Sequence, residues 1–260
     1  MTSTPSIKPP EGSDDSSWDS STSSLSPIGK GALSDTHMLS EQVYRSILQL
    51  VTRGQLQHGA RLRIEVLSRV LNVSPTPVRE GLARLEATGL VVHLPHKGFR
   101  IAPPLTAEQL EHLMDARELL EVGAAGAASA AGGQIFVDAL ERALSKQREA
   151  VLMFHVNRDA APKNEDAAWA VIDADLDFHH VVFEHTENPF IGLMAGALNG
   201  QAHRVRQYAE KGVSDDFEAL NEHDAILVAA RTLDPVRVQE AMRAHIHQVR
   251  LRARADMDPA

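Results

Sequence analysis

The 260-residue chain contains no cysteine. That absence excludes disulfide frameworks, cysteine-rich zinc sites and thiol nucleophiles. Aromatic residues make up only 4% of the chain, with two Trp and two Tyr, a poor supply for sandwiches or barrels, while the abundant Ala and Leu favour helix. No apolar run approaches the roughly 18 residues that span a bilayer. The most apolar low-charge stretch, Val122 to Gly133, is Ala and Gly with little hydrophobic mass. Residues Met1 to Pro10 lack the apolar core of a secretory signal. A length of 260 allows one or two domains at roughly 100–200 residues each. Together these absences predict a soluble, cytoplasmic, mainly α protein of a reducing compartment.

Charge is unevenly distributed along the chain. Residues 1–40 carry two Lys/Arg and five Asp/Glu, residues 41–104 carry nine and four, and residues 105–260 carry 15 and 26. A segment of net +5 is followed by one of net −11, a division that assigns an anionic partner to the first. Nine of the 13 His lie after residue 105.

Residues 1–39 are rich in Ser, Thr, Pro, Gly and Asp and poor in aliphatics. Such a composition cannot bury enough apolar surface to offset ordering entropy, so it predicts a disordered tail. Ser40 is read as the N-cap of a first helix carrying Val43, Ile47, Leu50 and Val51. A second short helix carries Ile64, Leu67, Val70 and Leu71, and Asn72-Val73 forms a turn. Ser74-Pro75 then opens a third helix with Val78, Leu82 and Leu85, closed by Gly89. Two short β runs, Leu90 to Leu94 and Phe99 to Ala102, flank the turn Pro95-His96-Lys97-Gly98. Residues 40–104 therefore read as a winged helix-turn-helix, ending in the stiff pair Pro103-Pro104.

Residues 105–260 read as helices only. Thr106 with Gln109 makes a capping box, Asn188-Pro189 and Asp234-Pro235 are cap-then-proline starts, and Ser214 is a third cap. About six helices of 15–25 residues, joined near Arg158 to Asn164 by a loop, imply an antiparallel bundle.

A helix fits the DNA major groove, and the second helix of the motif enters it. That helix begins at Ser74, so Ser74, Thr76 and Arg79 would meet bases and phosphates. Arg63 and Arg69, assigned to the preceding helix, would meet the backbone, and Lys97 and Gly98 at the wing tip an adjacent groove. The alternative is a solvated basic face on a protein-binding winged helix. Residues Ser74 to Leu82 (SPTPVREGL), followed by Leu85-Glu86-Ala87-Thr88-Gly89-Leu90-Val91, resemble the N-terminal domain of GntR-family regulators. The chain departs from the family pattern at Pro75 and at Ile64-Glu65, whereas Thr76, Arg79 and Gly98 match it. The resemblance implies binding to duplex DNA with palindromic half-sites.

The C-terminal helices carry polar residues on apolar stripes. Around Trp169, the residues Ile172, Leu176, Val182 and Phe183 define one stripe, and at 100° per residue His179 falls on it with Asp175 near its edge. Asp173, Asp177 and His180 point away. His223 shares a stripe with Leu220, Leu227 and Ala230, and His245 lies among Val238, Ala241, Met242 and Val249, while His247 faces outward. An Asp and three inward His from three helices predict a divalent metal site with positions left for water or ligand. Each His alone could instead be a core residue bonded to a backbone carbonyl. On the domain's first helix, Arg117 and Glu121 sit within the stripe of Leu110, Leu113, Met114 and Leu120. The planar fork of Arg117 suits a small carboxylate, and the alternative is a plain i, i+4 pair with Glu121.

The run Asp115 to Glu121 and the run Asp175 to His179, followed by Asn188-Pro189, resemble the FCD effector domain of the FadR subfamily. His223 and His245 fall where its remaining metal-ligand histidines occur. The resemblance implies a homodimeric, ligand-responsive regulator, repressor or activator, whose metal helps hold an organic acid. Zinc is the first expectation, with nickel and manganese as alternatives. Two other readings are a metal-dependent enzyme using the Asp and three His, and a regulator for which the ion itself is the signal.

Overall fold

The computed structural model describes residues 36–52, 56, 58–156, 163–206 and 215–257. The greater part of the predicted tail, the loop before Lys163 and the cap assigned to Ser214 lie outside the described residues. The chain forms two compact units, one drawn from residues 1–83 with 91–103, the other from 84–90 with 104–260.

In the first unit, α1 (Thr36–Thr52), β1 (Arg61–Leu62), α2 (Ile64–Leu71), α3 (Pro75–Ala87), β2 (Val91–Leu94) and β3 (Gly98–Ile101) follow in order, α3 continuing into residues grouped with the second unit. Helix α1 starts a turn before the expected cap. Ser40 lies inside it and is buried, because Leu39 extends the stripe of Val43 and Ile47 by one turn. Asn72 ends α2 in the left-handed region at φ 54°, a conformation Asn tolerates better than most residues. Pro75 opens α3, where a missing N–H costs nothing. Gly81 on α3 lies against α1: a Cβ there would stand 2.7 Å from Val43 Cγ1 and 3.2 Å from the Tyr44 backbone nitrogen. Strand β3 pairs antiparallel with β2 and also with β1. The two-residue β1 was not expected, since a strand that short shows no alternation.

The second unit consists of α4 (Ala107–Val156), α5 (Lys163–Glu184), α6 (Pro189–Arg206), α7 (Asp216–Ala230) and α8 (Pro235–Met257). Thr106 and Gln109 form the reciprocal capping box, at 3.0 and 3.2 Å. Asn188 and Asp234 cap α6 and α8 through bonds from the Phe190 and Val236 amides. Helix α4 breaks into two arms at Gly133, whose φ of 48° and ψ of −130° are not helical. Counting the arms separately gives, among the described residues, the six helices expected. Both arms supply the core, with Leu110, Met114, Ala124, Ala125 and Ala128 from the first and Phe136, Leu140 and Leu144 from the second. Phe178, Val182, Ile226, Leu227, Val238, Met242 and Ile246 complete it from α5, α7 and α8. The Ala and Gly stretch up to Gly132 thus lies inside the first arm of α4.

Candidate nucleic-acid interface and metal centre

In the first unit, Val78 and Leu82 are buried on one face of α3 and leave Thr76 and Arg79 exposed on another. Ser74, just ahead of α3, is exposed too, as are Lys97 in the turn between β2 and β3 and Arg69 on α2. Gly98 has a φ of 73°, a conformation that favours glycine and ends the tight turn. Arg63 is half-buried at the N-cap of α2, not within the helix as expected. Its extended backbone, with φ −89° and ψ 120°, follows from the neighbouring strand β1. Arg100 donates to the Gly59 carbonyl at 3.0 Å and braces the sheet.

In the second unit, three imidazoles from three helices converge: His179 from α5, His223 from α7 and His245 from α8. One ring nitrogen of each lies within 4.8 Å of those of the other two, and all three rings are buried. Asp175 is buried one turn before His179, with Oδ1 3.9 Å from His223 Nε2, beside the trio rather than within it. The neighbours Asp173, Asp177, His180 and His247 are exposed.

Partners on the far side of each ring aim it. Gln147, buried on the second arm of α4, accepts from His223 Nδ1 at 2.7 Å and donates to Asp175 Oδ1 at 3.3 Å. Glu222 accepts from His245 Nδ1 at 2.9 Å, and Arg252 grips that carboxylate at 2.5 and 2.9 Å. Arg252 also donates to Asp215 at 2.9 Å. His179 Nδ1 stands 2.7 Å from Glu121 Oε2, while Glu121 Oε1 accepts from Arg117 Nε at 2.6 Å. Phe178 lies flat on His223, centroids 4.0 Å apart and planes at 6°.

Burial raises the Glu121 carboxyl, but the positive charge of Arg117 and the nearby His179 outweigh it and hold the group well below its ordinary range. Burial pushes the His245 imidazole down, against the opposing hydrogen bond to Glu222. The neutral ring this favours is the metal-binding form. Its Nε2 is buried and has no hydrogen-bond partner among the described residues, a state that costs about 1–3 kcal/mol when nothing fills it. A lone pair with no donor, facing two other buried imidazoles, suits a divalent cation. Arg117 itself is buried and, among the described residues, its terminal amino groups make no hydrogen bond.

Sequence patterns placed the three His, Asp175, Arg117 and Glu121 on inward faces, but not Gln147, Glu222 or Arg252. Gln147 interrupts a stripe of Leu140, Leu144 and Val151, the same signal that singled out Arg117. Glu222 lies next to His223 in sequence and acts on a ring from another helix, which no periodicity reveals.

The model of the FCD domain matches residues 112–248, and that of bacterial regulatory proteins, gntR family, matches residues 39–101. The chain belongs to the gntR family of bacterial regulatory proteins and carries an FCD domain. It is similar to the HTH-type regulator YcbG of Bacillus subtilis, 25% identical over 85% of this chain and 92% of the relative. It is 27% identical to the repressor GlaR of Escherichia coli over 78% of this chain and 90% of that one. The E. coli repressor NanR is also 27% identical, over 89% and 92%. The fold matches that of E. coli McbR/YncC with a TM-score of 0.65 at 19% identity, covering 85% of this chain and 99% of the other. This GntR regulator is thus a DNA-binding transcriptional regulator and not an enzyme. No helix among the described residues is long and apolar enough to cross a membrane.

Proposed function

We propose that this regulator works in the cytoplasm as a homodimer on duplex operator DNA with palindromic half-sites. A small organic acid bound beside a divalent metal ion in residues 105–260 controls its operator affinity. Ser74, Thr76 and Arg79 read the major groove, Arg63 and Lys97 hold phosphates, and Gly98 lets the wing approach the backbone. The named repressors among its relatives favour repression released by the acid.

The observation that carries the reading is the cluster of three buried imidazoles, with the outer nitrogens of His223 and His245 bonded to Gln147 and Glu222 and His179 Nδ1 2.7 Å from Glu121 Oε2. Metal-binding histidines are held this way, the ring N–H donated outward and the other nitrogen turned to the ion. His179, His223 and His245 would hold the metal, with Asp175 as the fourth group. The N and O donors suit zinc, and also nickel or manganese. When bound, the ion supplies a Lewis-acidic centre for a carboxylate oxygen. Arg117, anchored by Glu121 through Nε, would offer its terminal amino groups to the same carboxylate.

The test is a thermal-shift screen of zinc-loaded and chelated protein against small carboxylic acids. A ligand at a hundredfold excess over its Kd stabilises by about 2.7 kcal/mol. Stabilisation that needs both metal and acid supports the reading. A parent protein that takes up no metal, with its melting unchanged by chelation, removes it. One observation favours a second reading, in which the ion alone is the signal: Arg117 already donates to Glu121. Operator affinity that follows metal and ignores every acid selects that one.

A further inference from the structure

We infer that Gln147 is the positioning residue that prepares two metal ligands at once. The inference rests on the metal reading above. Gln147 is 1% exposed and sits on the second arm of α4, an element that supplies none of the candidate ligands. Its amide lies between a carboxylate and an imidazole: Nε2 is 3.3 Å from Asp175 Oδ1, and Oε1 is 2.7 Å from His223 Nδ1.

The polarity of this arrangement follows from chemistry. An ionised carboxylate can only accept, so the amide must turn its NH2 toward Asp175. Its oxygen then faces His223, and an amide oxygen only accepts, so His223 Nδ1 carries the proton. That leaves the lone pair of His223 on Nε2, the atom turned toward Asp175 Oδ1 at 3.9 Å. One side chain thus fixes the tautomer of one ligand and the rotamer of another before any ion arrives. Phe178, stacked on the His223 ring, holds the plane of the ring, whereas Gln147 holds its rotation within that plane. Neither Glu121 nor Glu222 does the same work, since each faces a single imidazole.

The experiment compares the full-length parent with Gln147→Met, Gln147→Glu, Asp175→Asn and the double variant Gln147→Glu/Asp175→Asn. The readouts are Kd for Zn(II) and Co(II) against a competing chelator, and the visible d–d bands of the Co(II) complexes, with the helical circular dichroism of the metal-free proteins as the check on folding. Gln147→Met removes both hydrogen bonds at nearly constant shape. It should weaken metal binding 10–100-fold, as loss of an outer partner does, and shift the Co(II) bands. Gln147→Glu keeps an acceptor for His223 but sets a carboxylate against Asp175, so it should also lose at least tenfold. In the Asp175→Asn background the donor and acceptor exchange places, and adding Gln147→Glu should cost less than threefold. Folded variants that bind both metals like the parent, with the same bands, overturn the inference while leaving the metal site standing. So does a Gln147→Glu loss equal in the two backgrounds. A parent that binds neither metal removes the site and the inference together.

Discussion

Arg117 and Glu121 form an ion pair with almost no water around it, the side chains being 10% and 4% exposed. Removing one charge from such a pair leaves the other buried alone, at a cost of about 3–5 kcal/mol. Glu121→Gln is therefore expected to unfold at lower denaturant in equilibrium titrations. The pH dependence has a definite sign. Burial alone would raise the Glu121 carboxyl, but Arg117 and His179 hold it below the ordinary 4.5, so its stabilisation is complete above that value and is lost as pH falls below it. The parent should lose stability more steeply in acid than Glu121→Gln, and parallel slopes would mean the pair contributes nothing. On the DNA side, Arg79 is exposed and should act only through its contact. Arg79→Ala should weaken operator binding by about 1–3 kcal/mol in a mobility-shift titration, with melting unchanged. Arg100→Ala should lower stability instead, because Arg100 ties β3 to the Gly59 carbonyl.

Helix α4 carries Arg117 and Glu121 on one arm and Gln147 on the other, so the bend at Gly133 sets both sides of the site. The backbone there has φ 48°, and an L side chain in so sparse a region costs of order 1–3 kcal/mol. Gly133→Ala should lower the melting temperature and weaken metal binding, although no atom beyond the neighbouring chain lies within 4 Å of the added methyl. Gly123 has the same open surroundings but lies in regular helix, where Gly→Ala gains about 0.5–1 kcal/mol. Opposite shifts of the two variants in calorimetry isolate the backbone effect, and a shift of the same sign would deny it. Elements were legible where local chemistry marks them. The Thr106–Gln109 box and the starts at Pro189 and Pro235 need only neighbouring residues. The inward angles of His179, His223 and His245 need only the helical period. The bend at Gly133 was hidden because Gly123, Gly126 and Gly132 in the same Ala and Gly run stay helical, so composition does not mark which glycine turns the chain. Strand β1 exists because β3 offers it an edge, and the aim of each imidazole depends on side chains that only tertiary packing brings near.

At the scale of the whole chain, a segment of net +5 holding the gntR-type domain precedes a segment of net −11. Binding to DNA should weaken with salt, each lysine or arginine contact adding about 0.9 to the slope of log K against log salt. A salt-independent affinity would exclude phosphate contacts. The three imidazoles join α5, α7 and α8, so an ion there ties the bundle as well as the site. Chelation should lower the melting transition of the full chain and abolish its response to acids. An unchanged transition would mean that the three rings are ordinary core residues.

The parallel stack of Phe178 on His223, with centroids 4.0 Å apart, has a spectroscopic consequence. Protons held over an aromatic face are shielded by its ring current, so the carbon-bound protons of His223 should resonate upfield of those of the exposed His180 and His247. Those protons ride on a ring whose Nε2 points into the centre of the bundle. Any occupant of that centre should therefore register in the proton spectrum of the native protein, without a label and without a substitution.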